Sequence, residues 1–249
     1  MVHDAAAAGY RSRSDTYARA RPTYHPTIVD RLVAEHGEGD VVELGAGTGI
    51  FTAQLVQRGV RPLVVEPVAE MRTRLGDALP AISAVDGTAE ATGLPDACAD
   101  TVVAAQAFHW FDHAAALDEV ARLLRPGGAL VCVWNVRDTS VPWVAAVTEI
   151  LDRHAGNTPR HRTMAWRRAI DDDPRFVFGH ETVVDNPVPA TPQTVVDRSL
   201  STSFIAALEP AAQAAVVDEV RAVAEPLGDS FDYPYRSELQ VWELSGSGR

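Results

Sequence analysis

Short apolar runs alternate along this chain with stretches whose apolar residues recur at helical spacing, the order expected of a parallel sheet covered by helices. Residues 40–44, Asp-Val-Val-Glu-Leu, are β-branched and apolar except for one carboxylate, and predict a buried parallel strand. A glycine run follows. Phe51, Leu55 and Val56 then form one helical stripe that Gly59 closes, because a left-handed residue is favoured just past a helix end. Upstream, Pro26 opens a helix with Ile28, Val29, Leu32 and Val33 on its apolar face and Gly37 at its end. Further strands are predicted at 63–66, 81–85, 101–105 and 129–134. Asp112 caps a helix whose stripe is Ala116, Val120, Leu123 and Leu124, and Arg125-Pro126-Gly127-Gly128 turns the chain into the fifth strand.

Beyond residue 136 the pattern loosens. A helix is expected over 142–155, followed by an arginine-rich link through Arg160, Arg162, Arg167 and Arg168 and a strand-like Val183-Val184. Residues 191–225 read as two helices joined near Glu209-Pro210, 238–244 alternate like a sheet strand, and 245–249 form a flexible end. A chain of 249 residues can bury a sizeable core, and one α/β domain with an inserted cap fits better than two domains.

The glycine run selects among ligands. Its first glycine lets the chain reverse, and the later ones remove Cβ atoms where a ligand or a facing strand comes close. A dinucleotide fingerprint would need glycine where Ile50 stands, and a phosphate-binding P-loop would need a lysine, of which the chain has none. The pattern is instead Glu-x-Gly-x-Gly-x-Gly, over Glu43, Gly45, Gly47 and Gly49. A carboxylate before the turn repels a pyrophosphate but suits the ammonium and sulfonium of S-adenosyl-L-methionine. The plain alternative is a turn kept for packing alone. One βαβ unit later, Glu66 ends the second strand about 20 residues past the first glycine, the spacing at which an acidic residue meets a ribose. Its two oxygens match a vicinal diol; the alternative is an ordinary surface glutamate. Met71, a helical turn on, either pads the adenine or belongs to the core.

Gln106 to Phe111 follow the fourth strand at its C-terminal end, where open α/β sheets place ligands. His109, among three aromatic residues there, either orients a substrate, deprotonates it, or packs as a hydrogen-bonded ring. As a base it would titrate near its ordinary value of about 6.5.

The formal charge of −12 and the scattered arginines disfavour a nucleic-acid surface. The two cysteines, Cys98 and Cys132, have no metal-ligand spacing and read as reduced thiols, and no metal site is expected. No apolar run approaches a membrane span and residues 1–9 are too short and polar for a signal segment, so a soluble cytoplasmic protein is expected.

Seven segments in order, YARARPTYHP, VVELGAGTG, VVEP, DGTAEATGLP, AQAFHWFD, RLLRPGGALVCVWNVRD and DYPYRSELQVWEL, resemble the class I S-adenosylmethionine-dependent methyltransferases over nearly the whole chain. The resemblance is strongest to the small-molecule branch with ubiquinone/menaquinone-type and trans-aconitate-type enzymes. It implies a doubly wound, seven-stranded, mostly parallel α/β sheet with an antiparallel last strand, in a single domain spanning 1–249. Residues 1–26 would form a flap and 137–236 most of a helical substrate cap. Around the cofactor it implies Glu43, Gly45, Ala46, Gly47 and Gly49 from the loop, and Glu66, Pro67 and Met71 from the second strand and its helix. Thr88, Ala89 and Gln106 would complete that pocket, with Tyr17, Arg19, Arg21 and Tyr24 of the flap shielding the methionine end. Many relatives carry an Asp-Ala pair at the adenine; here Thr88 precedes Ala89, so either Thr88 or Asp86 takes that role. His109, Trp110, Trp134 and Arg137 would face a small-molecule methyl acceptor, with His109 the candidate catalytic residue. Sulfonium chemistry needs alignment more than a catalytic group. Arg137 and the cap arginines suit an anionic acceptor, against the alternative of solvated arginines. A non-catalytic S-adenosylmethionine-binding protein and a nicotinamide-dependent oxidoreductase are the rival readings.

Overall fold

A computed structural model describes residues 21–245. One seven-stranded sheet runs in the order β3-β2-β1-β4-β5-β7-β6. Its first half comprises β1 (Val41–Leu44), β2 (Leu63–Val65), β3 (Ala84–Val85) and β4 (Ala99–Ala105). β5 (Leu124–Arg137), β6 (Phe176–Ala190) and β7 (Phe231–Leu244) make the rest. β1 to β5 pair in parallel, and β7 inserts antiparallel between β5 and β6.

The period-2 alternation of strand side chains sorts the core into two layers. Val42, Leu44, Val102, Leu130 and Cys132 point to the face covered by α4 (His113–Leu123), through Leu117, Val120 and Leu123. Val41, Val103, Val131 and Val133 point to the other, covered by Ile28, Val29 and Leu32 of α1 (Pro26–His36) and by Phe51 and Leu55 of α2 (Ile50–Val56). α3 (Ala69–Ala78) packs Leu75 on Val64 and Ile82. All four β1 residues are buried, the reason that strand reads so clearly as an apolar run. Gly59, at φ +87°, ends α2 with bonds from Gly59 N–H to Val56 O and from Val60 N–H to Leu55 O, the geometry its position predicts. Asp112 caps α4 by accepting from Ala115 N–H.

A third cluster joins α5 (Pro142–Asp152), α7 (Pro192–Leu200) and α9 (Pro210–Ala224) to Tyr233 and Tyr235 of β7. α6 (Ala165–Asp171) lies elsewhere, carrying Trp166 into the α4-side layer. Three expectations change here. β3 is two residues long, because Ala81 to Ser83 belong to the turn after Pro80. The strand around Val183-Val184 extends over all of β6. It exposes Val177, Phe178 and Val183 and contains Pro187 and Pro189, which a sheet edge tolerates and a central strand does not. Residues 191–225 hold three helices, a short α8 (Ser203–Ala206) standing between α7 and α9.

Candidate active site

The C-terminal ends of the strands open onto a cavity of about 480 Å³. The glycine loop forms part of its wall. Gly45, Gly47 and Gly49 have φ of +68°, +59° and +82°. A Cβ on Gly45 would lie 2.9 Å from Ala107 Cβ, and one on Gly49 would lie 2.9 Å from Leu75 Cγ, whereas one on Gly47 would meet nothing within 4 Å. The outer glycines therefore serve packing and the middle one faces open space. Gly49, expected at the cofactor, does not line the cavity, because its missing side chain makes room for α3.

Glu66 fixes the loop from the neighbouring strand end. Gly47 N–H donates to its Oε2 and Val68 N–H to its Oε1, both at 2.9 Å. Each oxygen keeps further acceptor capacity, and the residue lines the cavity. Burial raises its proton affinity, and the two backbone donors and Arg72 pull against that rise. Glu43 is fully buried at the end of β1. Thr52 Oγ1–H donates to its Oε2 at 2.7 Å, while its Oε1 has no hydrogen-bond partner among the described residues. Burial pushes its carboxyl up to about 7, with the Thr52 bond opposing and the charge of Glu66 adding to the rise. A buried acceptor left open beside a cavity is a place for a donor or a cation.

Gln106 stands at φ +56°, with its N–H on Val133 O and its amide on Asn135 O. A non-glycine residue held there at a strand end is the kind of local strain that collects at functional sites. His109 follows, its ring 5.0 Å from that of Trp110 and 5.5 Å from that of Trp134. Burial first, then the charges of His161, Arg21 and His113, together lower its pKa to about 3. Its Nδ1 has no partner among the described residues. His161, lowered to about 4 mainly by burial, is neutral as well. A base titrating near 6.5 is therefore not what this environment makes of His109. Trp134, expected against the acceptor, does not line the cavity: it lies behind the wall, 4.6 Å from the rings of both His161 and Trp166.

Other expected residues do meet there. Ala46, Pro67, Met71, Thr88, Ala89 and Trp110 line the cavity with Gln106 and Arg137. Asp86 does not; it is on the surface, paired with Arg72 at 2.9 Å, which leaves Thr88 as the one of the two at the cavity. Tyr24 is on the wall, edge-on to Phe51 at 5.0 Å. Its segment is strapped across the strand ends by Asn135 and Asn186 donating to Thr23 O, by Tyr24 N–H donating to Gln54 and by Arg21 donating to Ser201 O. Tyr17 and Arg19 lie outside the described residues. The sequence reading missed Thr48, Thr148, His161 and Arg198. Arg198 had a signal: it falls at helical spacing between Val195 and Ser199, on the buried face of α7. Among the described residues there is no metal-binding cluster and no helix long and apolar enough to cross a membrane.

A doubly wound sheet with β7 antiparallel, an acidic glycine loop and a strand-end carboxylate on that loop is the architecture of the class I methyltransferases. Residues 42–132 match the family described as methyltransferase domain. An uncharacterized methyltransferase of Mycobacterium tuberculosis is 38% identical over 212 residues, 85% of this chain and 84% of that protein. The YcgJ protein of Bacillus subtilis shares the fold, with a TM-score of 0.59 at 16% identity over 90% of this chain and 100% of that one. So does geranyl diphosphate C-methyltransferase from Streptomyces coelicolor, solved with Mg2+, geranyl-S-thiolodiphosphate and S-adenosyl-L-homocysteine, with a TM-score of 0.51 at 16% identity over 91% and 75%. The chain belongs to the class I methyltransferase family.

Proposed function

We infer that the protein uses S-adenosylmethionine to methylate a small-molecule acceptor. The observation that supports this most is the pair of buried carboxylates: Glu66, gripping the loop yet open to the cavity, and Glu43, with one oxygen unpartnered among the described residues. Glu66 would take the ribose hydroxyls on its remaining lone pairs, and Gly47 leaves room for the ligand beside it. Glu43 would answer a cationic methionine end, since an opposite charge nearby returns a raised carboxyl to its ionised form. S-adenosylmethionine supplies a methyl group on an already activated sulfonium leaving group. The residues then have to align and exclude water: the strap through Tyr24 and the aromatic side chains of His109 and Trp110 wall the cavity for that purpose. A neutral His109 serves the cavity as a wall. The test is a thermal-shift comparison. S-adenosylhomocysteine should raise the melting temperature and NAD should not; stabilisation by NAD alone would overturn the reading.

A further inference from the structure

The cavity changes sign across the sheet. Of its carboxylates, Glu43, Glu66 and Glu90 come from the β1–β3 half and Asp152 from α5, whereas Arg137 and Arg236 come from β5 and β7 and Arg198 from α7 above them. Arg160 and Arg162 also line the basic half and each pairs with Asp152, which neutralises much of their charge, although Arg160 Nε has no hydrogen-bond partner among the described residues. Arg137 is different. It pairs in register with Tyr235 across β5 and β7; burial works against its charge, and the phenols of Tyr233 and Tyr235 beside it favour the charged form, with no carboxylate among these groups. Its Nε is buried and has no hydrogen-bond partner among the described residues. Thr148 Oγ1, on α5 at the same cavity, is likewise buried without a partner. The Arg198 guanidinium lies 5.3 Å from the Tyr233 ring and 5.6 Å from the Tyr235 ring, so a second cation adjoins the same phenols. A buried guanidinium donor and a buried hydroxyl left open are both costly unless an acceptor reaches them. In a chain of net charge −12, this basic recess stands against the overall charge.

We propose that the acceptor is an organic oxyanion whose carboxylate or phosphate group is bound by Arg137, with Thr148 and Arg198 beside it. The proposal rests on the methyl-transfer reading, because it assigns the acidic half to the cofactor and the basic half to its co-substrate. A guanidinium presents parallel N–H donors that match either oxyanion, so the shared chemistry is an anion with two or more oxygens on one centre.

The test is a titration of the protein already saturated with S-adenosylhomocysteine, using citrate as the carboxylate probe and pyrophosphate as the phosphate probe at fixed ionic strength. At least one probe should bind, and the tighter of the two identifies the oxyanion class. Arg137→Gln should weaken that probe by at least about tenfold, the scale of a lost charge-assisted pair, while S-adenosylhomocysteine affinity stays put. Thr148→Val removes one hydroxyl and should weaken it by roughly threefold or more. Failure of both probes to bind the wild type, or equal binding by wild type and Arg137→Gln, overturns the proposal. Should Arg137→Gln not fold, unchanged probe affinity in Thr148→Val overturns it. Absence of S-adenosylhomocysteine binding in the first titration marks failure of the methyl-transfer reading itself.

Discussion

Glu119 and Glu43 are both buried acids, and their surroundings are opposite. Glu119, on α4, accepts from Thr92 N–H at 2.8 Å and Thr92 Oγ1–H at 2.5 Å, and Arg122 donates to both of its oxygens. The Arg122 bonds, helped by Thr92, hold its carboxyl down at about 2. Among the described residues Glu43 has Thr52 alone; it keeps one oxygen open and rises to about 7. The complete cluster ties a loop to a helix and needs nothing more. The incomplete one borders the cavity, as do Thr48 Oγ1, His109 Nδ1, Arg137 Nε and Thr148 Oγ1, all buried without partners among the described residues. For this pair of acids, unmet hydrogen-bonding capacity borders the space a ligand would fill, and met capacity marks a place that holds the fold.

The comparison breaks most readily at Glu119. Glu119→Ala leaves Thr92 and Arg122 without their acceptor and should lower stability by about 3 kcal/mol, read from denaturant unfolding, with S-adenosylhomocysteine affinity unchanged. Because the folded pKa lies below the ordinary 4.5, the wild-type advantage is present above that value and is lost as pH falls through about 2.

Glu43 should behave with the opposite sign. Its folded pKa lies above 4.5, so the native state holds the proton longer than the unfolded chain, and stability declines as pH rises from 4.5 through about 7. Glu43→Gln removes that decline. The variant should be more stable than wild type by about 2 kcal/mol at pH 8, with no advantage at pH 4, when the ligand-free proteins are compared by unfolding. An equal gain at both pH values would mean that Glu43 is ionised throughout.

The smallest expected signal belongs to His109. With its pKa near 3, the ring stays neutral, and its imidazole resonances, assigned by their loss in His109→Ala, should not move between pH 5 and 8. A midpoint near 6.5 would restore the general-base role.

Much of the acidic half of the cavity was legible in the sequence because its information is local. β1 is buried on both faces, the glycine run follows it directly, and Glu66 sits at a fixed distance on the next parallel strand. The basic half was less legible because it is assembled from β5, β7, α5 and α7, which only tertiary packing brings together. Trp134 illustrates the limit. An aromatic residue near the end of a central strand reads as a pocket wall, but β-alternation turns it onto the α4-side layer, against Trp166. β6 escaped for the reverse reason: its interspersed polar residues, among them Glu181, Asp185 and Asn186, and its two prolines mask a long strand that β7 pairs along its whole length.

The central claim is that Glu66 serves a ligand and not only the loop it fixes. Calorimetric titration with S-adenosylhomocysteine tests it most directly, on wild type and on Glu66→Ala, with NAD as control. The wild type should bind S-adenosylhomocysteine and not NAD, and Glu66→Ala should bind about 10- to 100-fold more weakly, as expected when hydrogen bonds to a charged acceptor are lost. Equal affinity of the two proteins for S-adenosylhomocysteine, or tighter binding of NAD, would contradict the account.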